Sequence, residues 1–183
     1  MTATDQAQLT GDYTLDPAHT RIGFVVRHAM VTKVRGAFNE FTGTAHLDGD
    51  NPSNSSVQVT IQVASIDTRN ADRDAHLRSN DFLQMDEHPE ITFSSTEITR
   101  VGDTFTVTGD LTIKGVTRSI TVPLSYEGTA TDPFGNTRIG FEGSTTINRK
   151  DFGVTWNATL ETGGMLVGDK VVLEFEISAI RQA

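Results

Sequence analysis

The sequence predicts an all-β fold, an antiparallel barrel of about eight strands joined mostly by hairpins. Two observations carry that expectation. Apolar residues recur with a period of two through much of the chain, and Gly, Pro, Asp and Asn clusters interrupt them at hairpin spacing. Successive strand side chains point to opposite faces, so each run is apolar on one face and mostly polar on the other. Eight such strands close without an unpaired edge.

The elements follow in chain order. Residues 1 to about 11 show no periodicity and are expected to be a disordered tail on a single domain spanning 1–183. Ile22, Phe24, Val26 and His28 share one strand face, which aims His28 inward near a strand end. Val57, Val59, Ile61 and Val63 form the next clear run, after turn signals at Asp48-Gly49 and Asn51-Pro52. Phe105, Val107, Leu111 and Ile113 then lead into Lys114-Gly115, a tight hairpin in which Gly reaches positive φ without a Cβ clash. Ile120, Val122, Leu124 and Tyr126 repeat the pattern up to the turn at Asp132-Pro133-Phe134-Gly135-Asn136, and Val171, Leu173, Phe175 and Ile177 close the series.

Two segments break the alternation. Asp67 to about Gln84 is polar, with Ala71, Ala75 and Leu77 suited to a short helix between the third and fourth strands. Asn80 or Asp81 is expected to cap a second turn into Phe82–Met85, and Pro89 ends the excursion. From Asp151 to Asp169, large apolar residues are spread among glycines, the composition of a lid over one barrel end. The small inward residues Gly36, Gly109, Gly143 and Ala179 leave room for a cavity beside Phe24, Phe93, Phe105 and Phe141. The same alternation is compatible with a barrel filled by its own side chains.

Composition narrows the function. The chain has 15 Lys+Arg against 24 Asp+Glu, a net charge of −9. That balance argues against nucleic acid as a partner and against electrostatic docking on anionic membranes. With no Cys, there are no disulfides, thiolate metal sites or cysteine nucleophiles. No run of about 18 apolar residues spans a bilayer, and no export signal is visible at the N-terminus, so a cytoplasmic location is expected. Gly-x-Ser-x-Gly, His-Glu-x-x-His and Gly-rich phosphate loops are absent. Asp48 and Asp50 resemble the start of a calcium loop, but the sixth and twelfth positions are wrong for an EF-hand. Asp72, His76 and His88 have no metal-ligand spacing. The reading is no enzyme, no metal and no cofactor beyond a bound ligand.

A series of strings begins with Tyr13-Thr14-Leu15-Asp16-Pro17-Ala18-His19-Thr20 with Phe24 and His28, then Val34-Arg35-Gly36-Ala37-Phe38 with Phe41-Thr42-Gly43. Ser65-Ile66-Asp67-Thr68 and the block from Arg73 to Phe82 follow, then Pro89-Glu90-Ile91-Thr92-Phe93. Gly109 to Thr117, Ile147 to Gly153 and Val167-Gly168-Asp169 complete a collinear series over nearly the whole chain. Together these strings resemble the YceI-like family, bacterial polyisoprenoid-binding proteins with an extended lipocalin-like barrel. The resemblance implies an elongated pocket holding a polyisoprenoid, an isoprenoid quinone or a fatty acyl amphiphile. It also implies that homodimers occur among relatives and that many relatives are exported.

Candidate tail contacts are Phe24, Val26, Phe38, Phe41, Leu77, Phe82, Leu83, Phe93, Phe105, Phe141, Phe152 and Trp156, since a hydrocarbon tail is held by apolar area removed from water. Candidate head-group contacts are His28, Arg73, His76, Arg78 and Arg149, the donors suited to a phosphate. The competing assignments are a buried His28 bonded to a carbonyl, and ion pairing of the others with Asp67, Asp72, Asp74 and Asp151. Two further functions stay open: an enzyme on an isoprenoid or acyl substrate with His28 or His76 as base, and a filled barrel acting as a stress-response or interaction module.

Overall fold

A computed structural model of the chain describes residues 8–182. Its strands are β1 (Gly11–Leu15), β2 (Arg21–His28), β3 (Thr32–Phe38), β4 (Phe41–Leu47), β5 (Ser56–Gln62), β6 (Ile66–Asp67), β7 (Glu90–Val101), β8 (Thr104–Ile113), β9 (Val116–Thr131), β10 (Thr137–Asn148) and β11 (Val167–Arg181). They hydrogen-bond in the order β1-β4-β5-β7-β8-β9-β10-β11-β2-β3-β6, and β1 also pairs with β11.

The order becomes simple once three long strands are recognised as bent. β11 pairs with β2 through Val167–Glu176 and with β1 through Ala179–Arg181, so β1 and β2 are two arms of one strand. β3 and β4 stand in the same relation, since β3 pairs with β2 and β4 with β1. β5 and β6 extend beside them. Counted this way, the chain forms a closed antiparallel barrel of 8 strands in sequence order, as the periodicity and turns predict. The helix α1 (Ala71–Arg78) sits between the third and fourth strands so counted.

The strands obey the alternation. Phe105, Val107, Gly109 and Leu111 are buried along β8, and the residues between them are not. At Lys114-Gly115 both φ angles are positive (52° and 75°), and Ile113 pairs with Val116 across the tight turn. Residues 9–11 of the expected N-terminal tail are held by the barrel: Leu9 is buried at 1 % exposure, and the Tyr13 hydroxyl donates to its carbonyl at 3.0 Å. Residues 1–7 of that expectation lie outside the described residues.

The barrel ends differ. One is closed by turns at 102–103 and 132–136, the 48–55 loop and the buried Leu9. The other collects the 29–31 hairpin, α1 with residues 79–89, and the long connection 149–166. At this wide end two ladders stop early. β5 and β7 separate beyond the Val63 N–H bond to the Pro89 carbonyl, and β9 and β10 beyond Leu124–Gly143. Pro123 comes next on β9, and with no N–H it cannot extend the ladder. The helical excursion fills the first gap. A 3₁₀ turn at Arg149–Phe152 borders the second, where Arg118 Nε donates to the Asp151 carbonyl at 3.1 Å.

Candidate ligand cavity

Two apolar clusters fill the barrel lengthwise. Leu9, Tyr13, Leu47, Ile98, Phe105, Ile139 and Phe141 occupy the narrow end. Ile22, Phe41, Ile61, Phe82, Ile91, Leu111 and Phe152 occupy the wide end, and Phe93 touches both. Along the axis runs a cavity of about 190 Å³, lined from Ala179, Leu47 and Ile98 at one extreme to Ile113, Ile120 and Phe38 at the other. Its lining contains no titratable side chain. The hydroxyl of Thr20, a rare polar member, is already used: it donates to the Ser178 carbonyl at 3.0 Å and accepts from the Ser178 N–H at 3.1 Å.

Of the predicted tail contacts, Phe38, Phe93, Phe105 and Phe141 line this cavity. Phe41, Phe82 and Phe152 are buried in the wide-end cluster, with Leu77, Leu83 and Trp156 packed against it. Phe24 and Val26 lie on β2; Phe24 is buried with its ring 5.7 Å from that of Phe38, and Val26 is half-buried. Most of the lining is aliphatic and lies outside the predicted tail contacts, Val57, Val59, Val107, Val122, Leu173 and Ile177 among it. The signal is in the sequence, since these are the inward members of the alternating runs.

Two of the small inward residues do something other than expected. A Cβ at Gly36 would strike the Phe24 ring, and one at Gly109 would lie 2.5 Å from Phe93 Cζ. These glycines make room for aromatic rings across neighbouring strands, not for a ligand. Ala179 does line the cavity.

Both irregular segments meet over the wide end. Trp156 of the long connection stacks near Phe82 (5.2 Å between centroids) and edge-on to His76 (4.8 Å). His76 also meets Phe82 at 4.9 Å, and its Nε2 contacts Asp81 Oδ2 at 2.8 Å. Asn70 caps α1 by accepting from the Arg73 N–H at 2.9 Å. The expected second turn capped by Asn80 or Asp81 does not form as a helix. Ser79 ends α1 with its hydroxyl on the His76 carbonyl, and the Asp81 side chain turns to His76.

The polar residues expected at a head group fall in different places. His28 is exposed at the end of β2, so alternation misplaces it: the turn begins at once, and the end of the ladder leaves its side chain in solvent. Arg73 donates to the Thr68 hydroxyl (2.7 Å) and carbonyl (2.6 Å), while buried Asp74 accepts from both the N–H and hydroxyl of Thr68. Arg149 is buried at 5 % exposure, and its guanidinium donates to the carbonyls of Val154, Trp156, Val167 and Gly168 at 2.8–3.3 Å. Burial pulls its pKa down, opposed by Asp169 at 3.8 Å. Arg149 is a clamp on the connection, with its donors spent on backbone; Arg73 likewise secures the approach to α1. His76, engaged by Asp81, and half-buried Arg78 lie on the last turn of α1.

The sequence matches the family described as YceI-like domain over residues 13–179. A UPF0312 protein of Pseudomonas aeruginosa is 43 % identical over 148 residues, covering 80 % of this chain and 78 % of the relative. Another, from Pectobacterium atrosepticum, is 41 % identical over 157 residues, covering 85 % and 82 %. Among solved structures, Burkholderia cenocepacia BcnA superposes with a TM-score of 0.77 at 28 % identity over 90 % of this chain and 98 % of its own. A polyisoprenoid binding domain from Saccharophagus degradans shares the fold with a TM-score of 0.70, at 15 % identity over 93 % and 98 %. The family match spans most of the chain and the barrel superposes on the solved relatives: the chain belongs to the YceI-like family.

Proposed function

We propose that this protein binds and shields a long-chain amphiphile, with the hydrocarbon inside the barrel and the polar end at the wide mouth. The observation that carries the reading is the cavity lining, which is apolar along its length and contains no titratable group. A ligand held there must be hydrocarbon where it touches protein, and a chain inside meets no general acid or base. Such a space does not hold water well. At roughly 24 cal/mol per Å³, leaving 190 Å³ unfilled costs about 4–5 kcal/mol, a cost that an occupant removes. The S. degradans neighbour, described as a polyisoprenoid binding domain, points to the same ligand class.

The volume lies below the roughly 300 Å³ at which pockets for drug-sized ligands begin. Loading a long chain therefore moves the covering residues, Trp156 and Phe82 first, and extends the cavity to the wide mouth. His76 and Arg78 then flank the head group.

Native mass spectrometry of the freshly purified protein, followed by organic extraction, tests the reading. A stoichiometric long-chain species, or uptake of an added prenyl or acyl probe, supports it. A bare mass with no uptake of either probe overturns it and leaves a side-chain-filled barrel as the better account.

A further inference from the structure

The hairpin at 29–31 combines two unfavourable choices. Its turn is closed by the Val31 N–H donating to the His28 carbonyl at 3.2 Å, with φ of 50° at Ala29 and 65° at Met30. Turns with both central residues left-handed favour Asn-Gly, because a Cβ disfavours that backbone. Here the two are Ala and Met, and the side chains beyond are apolar and in solvent. Met30 is 64 % exposed and Val31 76 %. The described residues include five exposed large apolar side chains, and a third member of this group, Met165 at 45 %, belongs to the adjacent connection. Met30 lies against Gly164, and the Ala29 N–H donates to the Leu166 carbonyl at 2.7 Å. Hairpin and connection thus form one apolar tip beside the mouth.

Charge at the tip opposes that of the molecule. Arg27 and Lys33, register partners just behind the turn, are both exposed, and exposed Lys170 lies in the bulged start of β11 that pairs with this strand. Glu161 is an exposed acid on the connection, and Asp169 is engaged by Arg149 and Lys150. The whole chain carries −9, which disfavours anionic surfaces, yet the hairpin from Arg27 to Lys33 carries two cations and no acid. Strained turns and contiguous exposed apolar residues both mark interaction sites.

We infer that this tip seats on an anionic phospholipid bilayer. Met30, Val31 and Met165 enter the interfacial layer, and Arg27 and Lys33 meet the lipid phosphates. A convex tip of flexible and branched side chains suits a fluid surface, whereas a stable protein interface needs roughly 800 Å² on each partner. The seat would set the mouth of the cavity against the source of its ligand, but docking can be tested without reference to what the cavity holds.

The experiment is co-sedimentation with vesicles of phosphatidylethanolamine and phosphatidylglycerol, compared with phosphatidylcholine alone. The variant is Met30→Gly/Val31→Thr. Glycine accepts the left-handed turn, so the thermal midpoint should stay equal or rise, which separates lost docking from lost fold. Binding of the unaltered protein to the anionic vesicles is expected, with about a tenfold fall in the variant from the lost apolar area. Arg27→Gln/Lys33→Gln should weaken binding and reduce its salt dependence. Uptake of an acyl probe from dilute solution should be unchanged in both variants, so failure of docking and failure of ligand binding read out separately. The inference is overturned if the unaltered protein stays in the supernatant with both vesicle types, or if the Met30→Gly/Val31→Thr variant sediments equally. Tip-dependent self-association in ultracentrifugation without vesicle binding would overturn it in favour of a second copy of this chain.

Discussion

Single side chains in this barrel are fixed by what stands across the strand from them. Gly109 gives way to Phe93 on one side and to the Ser94 carbonyl and Ser95 Cα on the other, at 2.6 and 2.8 Å from an added Cβ. Gly109→Ala therefore meets backbone that cannot yield and should cost about 2–3 kcal/mol by overpacking. Gly43→Ala mainly meets the flexible end of Leu15 and should cost less. Equal urea midpoints for the two variants would refute the distinction. A second residue-scale device is the Asp16–Arg138–Asp132 bridge, with Arg138 donating to Asp16 at 2.5 Å and to Asp132 at 2.7 Å. Burial pushes the Asp132 carboxyl up, but Arg138, Asn136 and the Phe134 N–H override it and hold the pKa at about 2 against an ordinary 3.8. A depressed folded pKa contributes stability above about pH 4 that is lost as pH falls towards 2. Asp132→Asn should therefore be less stable at neutral pH and flatten the acid-induced loss in that window; an unchanged pH profile of the thermal midpoint would count against the bridge.

At the scale of elements, the wide end is covered by two segments that are not strands, each held by a buried polar network. Arg149 binds four carbonyls of the 154–168 stretch. Arg149→Met leaves those carbonyls with lost partners and should cost about 2–4 kcal/mol. Hydrogen exchange should show 154–167 opening well before β7 and β8, and uniform loss of protection across the barrel would contradict a local clamp. The resemblance located Arg149, but its role was legible only in part. An arginine followed by an aromatic and glycines reads equally well as a phosphate ligand, and only the curl of the chain back over it shows the carbonyls that satisfy it. Thr68, Arg73 and Asp74 are the same case: polar residues in a polar stretch, turned into a buried brace by the fold.

For the whole molecule, the cavity is the consequence of closure. Ala179 lines its narrow end, opposite Leu15 and Ile139. Ala179→Phe should shorten the channel and weaken long acyl or prenyl probes by about tenfold while sparing short ones, as expected when a few methylenes lose their place. A uniform loss for all chain lengths would indicate general unfolding, and no loss would place the ligand elsewhere.

Period-two alternation and turn residues determined the strands, their antiparallel order and which face is apolar, because these depend on local backbone geometry and on neighbours in sequence. Lys114-Gly115 is the clearest case, where the residue types alone dictate the turn. Where each inward side chain ends was decided by the tertiary structure. His28 follows the alternation in sequence and leaves it in space, because its strand turns there. Gly36 and Gly109 read as open space and are filled by rings from neighbouring strands. Bends that place β1 and β2 on one strand, and ladders that stop at Pro123 and Pro89, set the shape of the mouth. These outcomes depend on partners distant in sequence, and no local pattern encodes them.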